Sequence, residues 1–113
     1  MAIEDTTLTA VRKEAIRNRG KACVYREFVS QTSSMKTGVT TPVFRNKDLR
    51  ALVSGIERVA DGMKRTFRFI KSQLPEYPPS MKSVVQMGDY QYRIVDWRTS
   101  QHEDVVDIEA VSP

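Results

Sequence analysis

The sequence is poor in the residues that carry most protein chemistry. Its 113 residues include one cysteine, Cys23, and one histidine, His102. A lone cysteine closes no internal disulfide, so the chain is not a disulfide-stapled secreted scaffold. One Cys and one His far apart in the chain also exclude the usual structural zinc site, which needs several such ligands at close spacing. Glu103-Asp104 with Asp107 lacks the spacing of a calcium loop. There is no GxxxxGK[ST] phosphate loop and no GxGxxG turn. No apolar run approaches the ~20 residues of a membrane-spanning helix. The opening stretch MAIEDTTLTAVRKEAIRNRG has no apolar segment of signal-peptide type, so a cytoplasmic product without membrane contact is expected. Nucleophilic catalysis needs a nucleophile, a base and an orienting group. His102 beside Glu103 sits in a polar stretch and reads as an exposed loop residue, and Cys23 heads a strand and reads as a small buried hydrophobe. An enzyme has no residue set to stand on, so a non-enzymatic protein is expected.

What is present is a globular composition at the polar end, 40% hydrophobic and 28% charged. The length suits one domain over 1–113, an N-terminal helix and arm at 1–20 followed by a β core at 21–113. Residues 1–74 carry 15 basic against 7 acidic side chains, and residues 75–113 carry 3 against 7, so the two ends differ in sign. Residues 6–19 read as a helix that Thr6 or Thr7 can cap, with Leu8, Val11, Ala15 and Ile16 on one face and a left-handed Gly20 as its stop. ACVYREFV at 22–29 reads as a strand. QTSSMKTG is polar and without periodicity, so an exposed loop or hairpin tip is predicted over 31–41. Val39–Phe44 returns as a strand whose Pro42 marks a sheet edge.

Residues 48–63 support two readings. Leu49, Leu52, Val53, Ile56, Val59, Ala60 and Met63 form a helical stripe, whereas Gly55 and the Asp61-Gly62 turn pair favour strands. KRTFRFIK alternates, with Phe67 and Phe69 on the side to be buried. LPEYPPS is a fixed connector, because its prolines remove backbone donors. SVVQM and YQYRIVDW flank Gly88-Asp89, a two-residue hairpin, and place Tyr90, Tyr92 and Ile94 on one face. RTSQHED at 98–104 reads as a polar loop and VVDIEAV as a last strand. The fold class expected is mainly β, a small antiparallel β-barrel or sandwich with an N-terminal α-helix, and with 48–63 as a second helix or as strands. Tyr90, Tyr92, Ile94, Phe67 and Phe69 should form the core.

Two basic clusters stand out: Arg12, Lys13, Arg17, Arg19 and Lys21 along and after the first helix, and Lys64, Arg65, Arg68 and Lys71 around an aromatic strand. Such combinations serve single-strand binding in small barrels, so a nucleic-acid- or protein-binding module is one expected class. The alternation, however, turns Phe67 and Phe69 inward, away from bases.

The order of features from about residue 20 onward resembles the head–tail connector proteins of tailed bacteriophages, in particular their head-closure (stopper) and head-completion groups. The features are Val24-Tyr25-Arg26, the polar tip Lys36-Thr37-Gly38-Val39-Thr40, an apolar strand Leu49–Val53 and Asp61-Gly62. They continue with Phe67–Pro75 and Pro78-Pro79, the run Val85-Gln86-Met87-Gly88-Asp89-Tyr90-Gln91-Tyr92-Arg93-Ile94-Val95, and the closing strand Val105–Val111. Met81-Lys82-Ser83 stands where family members often carry Gly-Asp.

The resemblance implies a structural protein of the virion neck, made in the host cytoplasm. It implies a homo-oligomeric ring, a hexamer or dodecamer, between a portal or adaptor protein on the head side and a tail or tail-terminator protein on the other. Such a ring closes the DNA channel after packaging and requires no cofactor. Adaptor, tail-completion and minor-capsid roles are neighbouring readings. On this view Gln31, Thr32, Ser33, Ser34, Met35, Lys36 and Thr37 form a docking or channel loop, or a loop with no task of its own. Arg12, Lys13, Arg17, Arg19 and Lys21 face packaged DNA non-specifically, an acidic partner, or only solvent. Arg98, Gln101, His102 and Glu103 belong to a second contact loop.

Overall fold

The computed structural model describes residues 11, 13–99 and 104–113. The chain is mainly β. Helix α1 (residues 13–19) is followed by seven strands: β1 Lys21–Ser33, β2 Thr40–Val53, β3 Glu57–Val59, β4 Gly62–Ile70, β5 Val84–Met87, β6 Tyr90–Thr99 and β7 Val105–Ser112. Apart from residue 11, the predicted helix over 6–12 lies outside the described residues. Gly20 ends α1, though without the left-handed backbone expected of it. A Cβ there would stand 2.1 Å from the Ile16 carbonyl oxygen, so glycine is required by close approach.

All strand pairs are antiparallel, in the order β2-β1-β5-β6-β7-β4-β3. A further β2–β4 pairing, Leu52 with Arg68 and Val53 with Phe67, closes the sheet into a ring. The alternation of β1, β4, β5, β6 and β7 sends Tyr25, Phe67, Phe69, Val85, Tyr92, Ile94, Val106 and Ile108 inside, each at most 1% exposed. Phe67 meets Tyr92 edge-on at 5.2 Å and Tyr25 meets Phe69 at 6.1 Å, the geometry that ring quadrupoles favour. Burying one such side chain stabilises by about 1.5–3 kcal/mol. A satellite cluster of Ile16, Ile70 and Val105, flanked by Leu52, holds α1 against the ring.

Several expectations need correction. Of the two readings of residues 48–63 the strand one holds and the helix one does not: β2 runs through Val53 to pair with β4, and Gly55 lies in the exposed link to β3. The turn after β3 is Ala60-Asp61, one residue earlier than the Asp61-Gly62 expected, because Gly62 already pairs with Val59. Gly62 has φ +136, and a Cβ on it would meet the Ser112 carbonyl oxygen at 2.2 Å. Tyr90 shares a face with Tyr92 but starts its strand beyond the packed layer and is 54% exposed. A bulge between Ile94 and Asp96 shifts the alternation, so Trp97 pairs with Ile108 and packs against the core.

Candidate functional site

The β1–β2 pair is far longer than the ring needs. β5 covers β1 only at Val24–Arg26, and the β2–β4 pairing involves only Leu52 and Val53. Past Phe28 and Phe44 the two strands continue as a free ribbon to the 34–39 turn, and every residue from 29 to 43 is exposed. At about 3.3 Å per residue, six residues reach roughly 20 Å beyond the core. The described molecule accordingly measures 61 × 28 × 21 Å.

The root of the ribbon is pinned. Phe28 and Phe44 face each other across the strands at 6.1 Å, with Arg26 over the Phe44 ring at 4.6 Å and Lys82 over Phe28 at 5.1 Å. Behind them Glu76 Oε2 accepts from Tyr25 Oη at 2.5 Å, Ser83 Oγ at 2.5 Å and the Ser80 amide at 3.2 Å. The Ser83 hydroxyl in turn accepts from the Phe28 amide at 3.1 Å. Burial, and then the Glu76 carboxylate, push the Tyr25 phenol well above the ordinary tyrosine range, so it remains a donor. The proline-rich connector thus carries the group that fixes β1 just below the ribbon.

Beyond the root, a bulge between Phe28 and Ser30 reverses which side chains face each way. Gln31, Thr32 and Ser33, expected in a loop, are strand residues opposite Pro42, Thr41 and Thr40. Thr32 Oγ1 donates to the Thr41 carbonyl at 3.3 Å. Ser34, Met35, Lys36 and Thr37 do lie in the turn; Gly38 takes φ +68, and the Ser34 amide bonds the Val39 carbonyl at 3.0 Å. Lys36 is the only charge between Val29 and Val43, and Met35 is fully exposed at the tip.

The other predicted residues lie apart from the ribbon. Arg17, Arg19 and Lys21 are exposed and Lys13 is half-buried, whereas Arg12 lies outside the described residues. Arg17 adjoins a cleft of about 660 Å³ together with Lys47 and Arg50 of β2, two cations absent from the predicted set. Arg98 was expected in a loop but belongs to β6, where it pairs with Glu109 at 3.6 Å; Gln101, His102 and Glu103 lie outside the described residues. In the second basic cluster, Lys64 pairs with Glu57 and Arg68 grips Asp107 through two bonds of 2.7 and 3.1 Å. Phe67 and Phe69 are core, and the ring beside these charges is instead Tyr77, 43% exposed, over which Lys71 Nζ stands at 4.3 Å. Cys23 is buried, which raises its thiol pKa to about 11. No helix among the described residues is long and apolar enough to cross a membrane. No group of three or more potential metal-ligating side chains occurs among the described residues. No protein-family model and no curated protein matches the chain.

Proposed function

We propose that this protein is a structural component of the neck of a tailed bacteriophage, forming with further copies a ring that joins head to tail and closes the DNA channel. The carrying observation is the ribbon: an arm with a single charge, standing out of a closed sheet, at the position where the resemblance puts the docking or channel segment. An isolated two-stranded hairpin is marginal in water, so an arm of this kind gains order when a neighbour covers it. Presented many times around a ring, weak contacts of this sort add up through effective concentration. The pinned root gives the arm a fixed origin, which multivalent fit requires.

Antibody labelling of purified particles under the electron microscope tests the reading. Label confined to the head–tail junction is expected. Unlabelled particles alongside abundant antigen in the soluble lysate would overturn it.

A further inference from the structure

The ring is not zipped along its whole seam. β2 meets β4 only at Leu52 and Val53, and the Ser54 amide bonds the Thr66 carbonyl at 2.9 Å. In an antiparallel ladder, alternate residues point their N–H and C=O to the same side. The Ser54 amide points toward β4, so Leu52, Arg50, Asp48, Asn46 and Phe44 point that way too. The opposite strand agrees: Val24 and Arg26, which face Asp48 and Asn46 across the pair, direct their groups away from β2, where β5 pairs with them. Among the described residues, no strand pairs with β2 between Thr40 and Ala51 on the side away from β1.

Beside this open edge lies the 660 Å³ cleft, lined by Ile16 and Arg17 of α1, Ala22 of β1, residues 47–50 of β2 and Gln73 of the 3₁₀ turn Lys71–Gln73. Its lining carries three cations, Arg17, Lys47 and Arg50, against one acid, Asp48. Lys47 donates to the Gln73 carbonyl at 2.5 Å and Arg50 to the Gly20 carbonyl at 2.8 Å. Those acceptors are neutral, and neither Lys47 nor Arg50 has an ion pair among the described residues. Arg17 is exposed and has no ion pair among the described residues.

We propose that this cleft takes an extended, acidic segment of a partner protein, added as a strand to the free edge of β2 over Asn46–Arg50. Unpaired main-chain groups supply the ladder bonds, and the three cations select carboxylates on the incoming strand. A nucleic-acid backbone would satisfy the cations but has no strand to offer the edge. Asn46–Arg50 belongs to the part of β2 beyond the ribbon's root, so loss of peptide binding and loss of the neck role are distinguishable.

Fluorescence anisotropy with a labelled peptide repeating Val-Val-Glu-Glu, which sets carboxylates on both faces of the added strand as Lys47 and Arg50 require, tests it, with the valine–lysine counterpart and oligothymidine as comparisons. Saturable binding of the acidic peptide alone is expected, weakened about tenfold or more by Arg17→Glu. Asp48→Pro separates the two chemistries: it makes the cleft more positive yet removes one edge N–H, and proline is tolerated on a strand edge with its nitrogen outward. Strand addition predicts that Asp48→Pro weakens binding about tenfold whereas Asp48→Ala binds at least as well as the unaltered protein. In the unaltered protein, hydrogen exchange at the Asp48 and Arg50 amides should slow when peptide is added, a readout independent of any variant. No binding of the acidic peptide, equal binding of oligothymidine, or unprotected Asp48 and Arg50 amides in the complex would overturn the proposal.

Discussion

If the ribbon is an arm and not part of the fold's support, removing it should leave the ring intact. Replacing Gln31–Pro42 by Asn-Gly would join Ser30 to Val43 through a two-residue turn. The ladder parity makes Ser30 and Val43 a mutually bonded pair, which such a turn requires. Three cross-strand pairs are lost, Gln31 with Pro42, Thr32 with Thr41 and Ser33 with Thr40, together with the Ser34 amide bond to the Val39 carbonyl at the turn. Their net hydrogen bonding, about 0.5–1.5 kcal/mol per bond, is opposed by about 1–2 kcal/mol per residue of backbone ordering. No side chain in the deleted stretch is buried, and even Val39 is 58% exposed, so little transfer free energy is lost. Shortening the connection from twelve residues to two lowers the closure cost by about 1.6 kcal/mol. The expected change in unfolding free energy is therefore under about 2 kcal/mol, with the sign toward stabilisation. Urea titration followed by the fluorescence of Trp97 measures it. A loss above about 3 kcal/mol would refute the reasoning, since it would mean the ribbon supports the core. The same shortened chain should fail to enter particles, which separates loss of docking from loss of fold.

Other substitutions probe the ring and the pin. Tyr92→Ala should cost about 3–5 kcal/mol, whereas Tyr90→Ala, two positions earlier on the same face, should stay within about 0.5 kcal/mol; equal losses in urea titrations would contradict the burial pattern. Glu76→Ala strips three donors of their acceptor and should cost about 2–4 kcal/mol, with Glu76→Gln recovering part of it because an oxygen remains. Cys23 makes stability fall in alkali. Its folded pKa of about 11 lies above the ordinary 9.0, so the folded thiol keeps a proton that the unfolded chain releases. That contribution is intact below pH 9.0 and lost as pH rises toward 11, at about 1.4 kcal/mol per pH unit and about 3 kcal/mol in all. Cys23→Ala should flatten the decline between these limits in urea midpoints, and parallel slopes for the two proteins would contradict the assignment.

Much of the ring is legible in the sequence because long stretches of its strands alternate, as β4 does. KRTFRFIK announces a strand with Phe67 and Phe69 inside, and Gly88-Asp89 announces its hairpin. Two kinds of feature stay hidden. Bulges leave no mark in composition, so the shift at Ile94–Asp96 that brings Trp97 against the core follows only from the pairing with β7. Over 48–63 the apolar spacing suits two periods at once, since Leu49, Leu52, Val53 and Ile56 fit a helical stripe as well as a strand. The non-local pairing of Leu52 and Val53 with β4 decides, and a local pattern does not contain it. One side of the ribbon is legible as strand, Val39–Phe44 with its edge Pro42, whereas Gln31–Ser33 reads only as loop or hairpin tip, because its pairing rests on backbone and threonine contacts with no apolar face to signal it.

The same ladder parity explains why one strand serves two different surfaces. Pro42 falls on the parity whose N–H would point to the open edge, so the ribbon lacks a donor there. The Phe28–Ser30 bulge breaks the regular edge of β1, and Lys36 charges the tip. These are the devices that keep exposed strands from pairing indiscriminately. Nearer the ring, from Phe44 to Arg50, β2 has no proline and no bulge, and its edge lies beside Arg17, Lys47 and Arg50. The distal edge is defended against strand addition, and the proximal edge is open to it under a positive field. The sequence supplied only half of this contrast: Pro42 was readable as an edge proline. The cleft was not readable, because its cations come from α1 and β2 and meet only after the chain has turned back through the whole ribbon.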